Sequence, residues 1–176
     1  MPESRTIQNC TLRLIRQDIT DFEVEAFVYY ARPDLALGAG FGSAITRRGG
    51  PSIKAELDKI GSIPSTEAVV TPGGDLKARY VVHAAGPTFQ EERLEAKLRA
   101  TIANALKRAE EKGIRQIALP PMGAGFYAIP LADCSAVMIG ALKEYVTNGG
   151  TLREIIICAN DAREYRVFQS AFKALP

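Results

Sequence analysis

"AFVYYARPDLALGAGFGSAITRRGG", residues 26–50, passes from an apolar, aromatic segment into a loop with glycines at 38, 40 and 42. Residues 26–30 read as a β-strand. Ser43, ahead of Ala44 and Ile45, reads as the N-cap of a short helix. Glycines between the two elements let the backbone take positive φ and let a ligand approach without meeting a Cβ. Main-chain amides gathered at such a helix start can hold an anion with no lysine present. Alone, the stretch reads more readily as a connecting turn than as an anion site, because glycine-rich connections between strands and helices are common. Its spacing is G-x-G-x-G, not the dinucleotide G-x-G-x-x-G, and no Gly-Lys-Ser/Thr loop occurs in the chain, so neither a standard Rossmann nor a Walker site is expected.

Working outward, further short segments rich in β-formers lie at 11–17, 68–71, 80–84, 116–120 and 154–159. "YVVHA" and "IIICA" hardly alternate with polar residues, the pattern of strands covered on both faces by helices. Helical patterns occupy 52–60, 92–112, 132–148 and 162–175. In the second of these, Leu94, Leu98, Ile102, Ala105 and Ala109 recur at three-to-four-residue spacing, and Gly113 follows as a stop. Alternating strands and helices predict an α/β protein, a three-layer α/β/α sandwich around a central sheet of six or more strands. No long helix separates the first two strand segments, so a mixed sheet is favoured over a wholly parallel one.

The 176 residues fit one domain, 1–176, and their 47% hydrophobic and 24% charged content excludes a disordered chain. A net charge of +2 carries no dense basic stripe of the kind nucleic acids or membranes require. Cys10, Cys134 and Cys158 lie far apart, form no close metal-ligand pair and cannot all pair with one another. No metal and no cofactor are expected. No apolar stretch approaches the ~20 residues that cross a bilayer, and the first residues lack a signal pattern, so a cytoplasmic protein is expected.

A second stretch sharpens the reading of the first. "LPPMGAGFYAIP", residues 119–130, also follows an apolar strand and also carries Gly-x-Gly, at Gly123 and Gly125 with Ala124 between them, followed by Phe126 and Tyr127. Ligands of open α/β sheets lie beyond the carboxyl ends of strands, so two such loops can flank one crevice. Opposed loops would hold two linked phosphates through main-chain amides, with Phe126 and Tyr127 over the apolar face of a sugar. Alternatively, both rings plug the core.

Five segments, "IRQDITDFEVEAFVYYA", "LGAGFGSAI", "TEAVVTPGGDLKARYVVHAAGP", "IALPPMGAGFYAIP" and "IIICANDAREYRVF", resemble in order the signature segments of the macrodomain family. The resemblance runs from about residue 11 to 174. It implies a mixed sheet between helices and a cleft for ADP-ribose or an ADP-ribosylated molecule. By resemblance, Asp18 accepts a hydrogen bond from the adenine amino group with Ile19 beside it, a role that suits an ionised carboxylate. Gly38, Ala39, Gly40, Phe41 and Gly42 correspond to a first phosphate loop. Gly123 to Tyr127 correspond to a second, with Tyr127 near the distal ribose. Asn160 stands where many relatives place an aromatic against adenine.

The departures concern catalysis. Hydrolytic macrodomains often carry Asn-Ala-Ala-Asn after the second strand and an Asp in the first glycine loop; the matching residues are Tyr29, Tyr30, Ala31 and Arg32, and Gly42. Arg32 donates only, unlike an amide, and Gly42 offers no carboxylate to orient water. The leading expectation is therefore a binding domain, with Arg32 facing either a phosphate or ribose hydroxyl or solvent. Hydrolysis of ADP-ribosyl protein, O-acetyl-ADP-ribose or ADP-ribose 1''-phosphate is the alternative, and RNA or poly(ADP-ribose) binding ranks last. Arg47 and Arg48 read as a solvated helix end, and His83, the single histidine, as a buried structural residue with a local hydrogen bond.

Overall fold

The computed structural model describes residues 3–176, apart from the side chain of Phe126. Its described strands are β1 (Glu3–Ile7), β2 (Cys10–Arg16), β3 (Ala26–Ala31), β4 (Ala68–Pro72), β5 (Tyr80–Ala85), β6 (Gln116–Leu119) and β7 (Glu154–Ala159). They form one sheet in the order β1-β2-β7-β6-β3-β5-β4. The five inner strands run parallel, and only the margins, β1 on β2 and β4 on β5, are antiparallel. The sheet is mixed as expected, but for a different reason. β2 and β3, joined without a long helix, are parallel and separated by β7 and β6; the antiparallel pairs are the two outer hairpin-like additions. β1 lay outside the expected strands because "ESRTI" has one strongly apolar residue, and it gains its place by pairing with β2 from Glu3↔Leu14 to Ile7↔Cys10.

Helices α1 (Phe41–Gly49) and α2 (Ser52–Ile60) cover one face, and α3 (Leu94–Glu111), α4 (Leu131–Thr147) and α5 (Ala162–Phe172) cover the other. Strand alternation divides the core between the faces. Phe27, Tyr29, Val81 and Ile156 join Ile45, Ile53 and Leu57 under α1 and α2, whereas Val28, Tyr30, Val82 and Ile157 join residues of α3 to α5. The apolar stripe of α3 buries Leu98, Ile102, Ala105 and Ala109, as its spacing predicts. Phe168 and Phe172 of α5 are fully buried, each side chain worth roughly 1.5–3 kcal/mol over an exposed one. All three thiols are free and buried, and burial pushes that of Cys134 up to about 12, so each behaves as a small core residue. Among the described residues no helix is long and apolar enough to cross a membrane.

His83 on β5 is fully buried, opposite Tyr29 in register, with its Nε2 3.0 Å from the Thr71 hydroxyl. Among the described residues its Nδ1 has no hydrogen-bond partner. Burial alone drives its pKa from 6.5 down to about 3, so the imidazole is neutral in the folded chain. Below pH 6.5 the unfolded chain binds a proton that the folded chain refuses, and stability falls with falling pH until about pH 3. Urea unfolding between pH 6 and 4.5 should therefore show a slope that His83→Gln reduces by up to about 1.4 kcal/mol per pH unit. Equal slopes in the two proteins would place the pH sensitivity elsewhere.

Candidate functional site

Because the inner strands are parallel, β2, β7, β6, β3 and β5 all deliver their C-terminal ends to one edge of the sheet. A cleft with two adjoining lobes lies there. The smaller, about 330 Å³, is bordered by Asp18, Ile19, Cys158, Asn160 and Glu164. The larger, about 680 Å³, is bordered by Tyr29, Tyr30, Arg32, Leu37, Gly38, Ala39, Gly123 and Tyr127. Gly40, Phe41, Pro120, Pro121, Ala124 and Gly125 border both lobes. The two glycine loops thus form the waist of one continuous groove.

The waist is built from uncapped main chain. The N-cap of α1 is Gly40, at φ 62° and ψ −121°, and no side chain caps the helix. That backbone conformation is closed to most L-residues, and it aims the first amides of α1 without a competing side chain. Ser43 is therefore the third residue of α1 and not its N-cap: the glycine at 40 turns the chain three residues earlier than the expected Ser43 cap. Across the groove, the short 3-10 turn Gly125–Tyr127 also lacks a side-chain cap. An uncapped helix start carries partial positive charge and favours an anion.

The smaller lobe has the opposite character. Asp18 is the N-cap of the 3-10 turn Ile19–Asp21, and its Oδ1 accepts from the Thr20 amide at 2.9 Å and the Thr20 hydroxyl at 2.7 Å. Its Oδ2 sits 3.5 Å from Arg48 Nη2, and Arg48 Nη1 lies 3.1 Å from Asp21. Arg48 thus pairs with the carboxylates of the Asp18 turn while staying exposed, and both adjacent arginines lie at the exposed end of α1, as expected. At the start of α5, Asp161 accepts from the Glu164 amide at 2.8 Å, and Glu164 accepts from the Asn160 amide at 2.7 Å. This helix start is already capped by two carboxylates, so it does not compete for an anion. Asn160 is exposed and presents an amide, not a ring, to the lobe.

Aromatic side chains wall the larger lobe. Tyr29 and Phe41 are tilted with centroids 5.1 Å apart, and Tyr30 and Tyr127 with centroids 4.6 Å apart. The Tyr29 hydroxyl donates to the Leu37 carbonyl at 2.9 Å, and that of Tyr30 to the Pro87 carbonyl. Burial pushes the Tyr29 phenol up to about 12 and raises Tyr30 and Tyr127 as well, so none ionises near neutrality. Arg32 is exposed and paired with Asp34 at 2.8 Å while bordering the lobe.

Gly42 lies buried beneath the groove and borders neither lobe. A Cβ there would overlap the Leu37 carbonyl and come within 2.7 Å of the Tyr29 hydroxyl. The position expected to differ from hydrolytic macrodomains is therefore physically closed to a carboxylate. Phe126 was expected beside Tyr127, and its side chain lies outside the described residues. Sequence reasoning missed Glu164, although Asp161-x-x-Glu164 is a legible capping pattern, and missed Pro120 and Pro121 as walls. No group of three or more His, Cys, Asp or Glu among the described residues could hold a metal ion.

The Macro domain family matches residues 31–138, and the chain belongs to it. Among its relatives, an uncharacterized protein of Saccharolobus solfataricus, SSO2899, is 39% identical, with 92% of each chain aligned. Macro domain-containing protein TTE0995 of Caldanaerobacter subterraneus is 33% identical over 93% of this chain and 97% of its own. The fold matches the Oceanobacillus iheyensis macrodomain with ADP at TM-score 0.93, 22% identity and 99% and 96% coverage. It matches the Trypanosoma brucei macrodomain in complex with ADP-ribose at TM-score 0.84, 27% identity and 90% and 68% coverage.

Gly42→Ala should lower stability by about 1–3 kcal/mol or more, because the added methyl has only main chain and a buried phenol to displace. Gly140→Ala is the control, since its Cβ would meet nothing nearer than Arg99 at 3.7 Å. It should be neutral or stabilising by up to about 1 kcal/mol in urea unfolding.

Proposed function

We propose that the cleft binds ADP-ribose, free or attached to another molecule, without hydrolysing it. The observation that carries this reading is the waist: Gly40 and Gly125 border both lobes, so two uncapped loops meet across one groove. A diphosphate bridging the waist would take main-chain amides from both sides and needs no metal or lysine. Adenine would then enter the smaller lobe, which is bordered by Asp18, with Oδ1 held by Thr20 and Oδ2 beside Arg48, and where Ile19 offers an apolar wall and Asn160 and Glu164 line the lobe. The distal ribose would enter the larger lobe beside Tyr127. The Oceanobacillus iheyensis and Trypanosoma brucei macrodomains, described with ADP and ADP-ribose, support the same ligand class.

The closed Gly42 position supports binding over hydrolysis. No carboxylate fits under the first loop, and Arg32, held by Asp34, only donates. Three buried free thiols suit a reducing, cytoplasmic setting.

Calorimetry with ADP-ribose should give a saturable heat below millimolar ligand; no heat and no competition at millimolar concentration would overturn the reading. Asp18→Asn keeps an oxygen for the Thr20 bonds and places a donor toward the adenine amine. It should weaken ADP-ribose about 10- to 100-fold, the equivalent of a charge-assisted hydrogen bond, and leave ribose 5-phosphate unchanged. Equal losses for both ligands would remove Asp18 from the adenine site. Incubation with mono-ADP-ribosylated protein should release no ADP-ribose; release abolished by Gly125→Glu would make the chain a hydrolase.

A further inference from the structure

The tyrosines at 29 and 30 stand in consecutive positions of β3, so their side chains leave opposite faces of the sheet. Each runs to a different glycine loop. On one face, the Tyr29 hydroxyl donates to the carbonyl of Leu37, three residues before Gly40, and its ring packs against Phe41, the first residue of α1. Gly42 leaves the space that the phenol fills. Tyr29 therefore holds the first loop from both of its ends.

On the other face, the Tyr30 ring lies where a Cβ at Gly86 would overlap it, and passes within 3.3 Å of where a Cβ at Gly123 would stand. Its hydroxyl donates to the Pro87 carbonyl, and its ring packs on Tyr127. The Phe89 amide then donates to the Tyr127 carbonyl at 3.2 Å, joining the segment after β5 to the second loop. Tyr30 therefore holds the second loop through its own ring and through its neighbour.

We infer that Tyr29 and Tyr30 are positioning residues, Tyr29 fixing the first phosphate loop directly through its hydroxyl on Leu37 and Tyr30 fixing the second through its ring and through its hydroxyl on the Pro87 segment that the Phe89 amide joins to that loop, so that the two rows of amides face each other before a ligand arrives. The inference rests on the reading of the groove as a diphosphate site. Both side chains are almost fully buried, at 7% and 6% exposure, and stay protonated donors at neutral pH. Preorganised amides raise affinity by removing the ordering cost that a mobile loop carries at binding. Were the rings mere packing, phenylalanine would serve at either position.

Tyr29→Phe and Tyr30→Phe each delete one oxygen and keep the ring. In the ligand-free protein, backbone order parameters should fall from near 0.85 toward 0.6 at residues 38–43 in Tyr29→Phe and at 123–127 in Tyr30→Phe, each variant sparing the other loop. ADP and ADP-ribose should both bind about 3- to 10-fold more weakly to each variant. The losses should add in the double variant, because the two hydroxyls have separate partners. Wild-type order parameters and affinities in both variants would overturn the inference, as would equal loosening of both loops by either change. If the wild-type protein binds no ADP-ribose, the functional reading falls, while the order parameters still decide whether the hydroxyls position the loops.

Discussion

Five neighbouring strands that run the same way must all end at the same margin of the sheet, and everything at the groove follows from that. The turn carrying Asp18, the segment with Asn160, the Pro120 and Pro121 walls, the first glycine loop and the segment after β5 are remote in sequence, yet each directly follows one of these strands. The crossovers that keep the strands parallel put helices on both faces, which is why "YVVHA" and "IIICA" are apolar almost throughout. The hydrophobic core and the chemistry are thus set by one constraint, with side chains along the strands serving the first and main chain beyond their ends serving the second.

Charge along the groove is graded by the way helices begin. α1 starts on a bare glycine, whereas α5 starts under Asp161 and Glu164. The same element of secondary structure therefore presents a positive end at the waist and a neutralised one beside the smaller lobe. Asp18 and its Arg48 partner add to that contrast, although exposed ion pairs of this kind contribute little to stability. Orientation of the proposed ligand, one end nucleobase and the middle anionic, would follow from such a gradient.

The sequence made the layer architecture legible because its strongest signals, apolar strands and the 3.6-residue stripe of α3, are the ones that burial enforces. Both glycine loops were legible too, since glycine repeats after a strand have few purposes. What escaped was set by tertiary contact. β1 is a strand only because β2 offers it an edge, and the cap of α1 moved to Gly40 because positive φ outranks a serine hydroxyl there. The tyrosines at 29 and 30 could be read from sequence only as departures from a family pattern. That Gly42, Gly86 and Gly123 leave room for their rings becomes visible only when the chain is folded.

The outer hairpins bear on how the molecule behaves in a crowded solution. A parallel sheet left open would offer bare amides and carbonyls along β2 and β5 to any passing chain. Instead β1 covers one side with Glu3 and Arg5 in mutual contact, and β4 closes the other and ends on Pro72, which has no amide hydrogen to give. The chain can keep the margin that carries the groove open because its lateral margins are poor templates for aggregation.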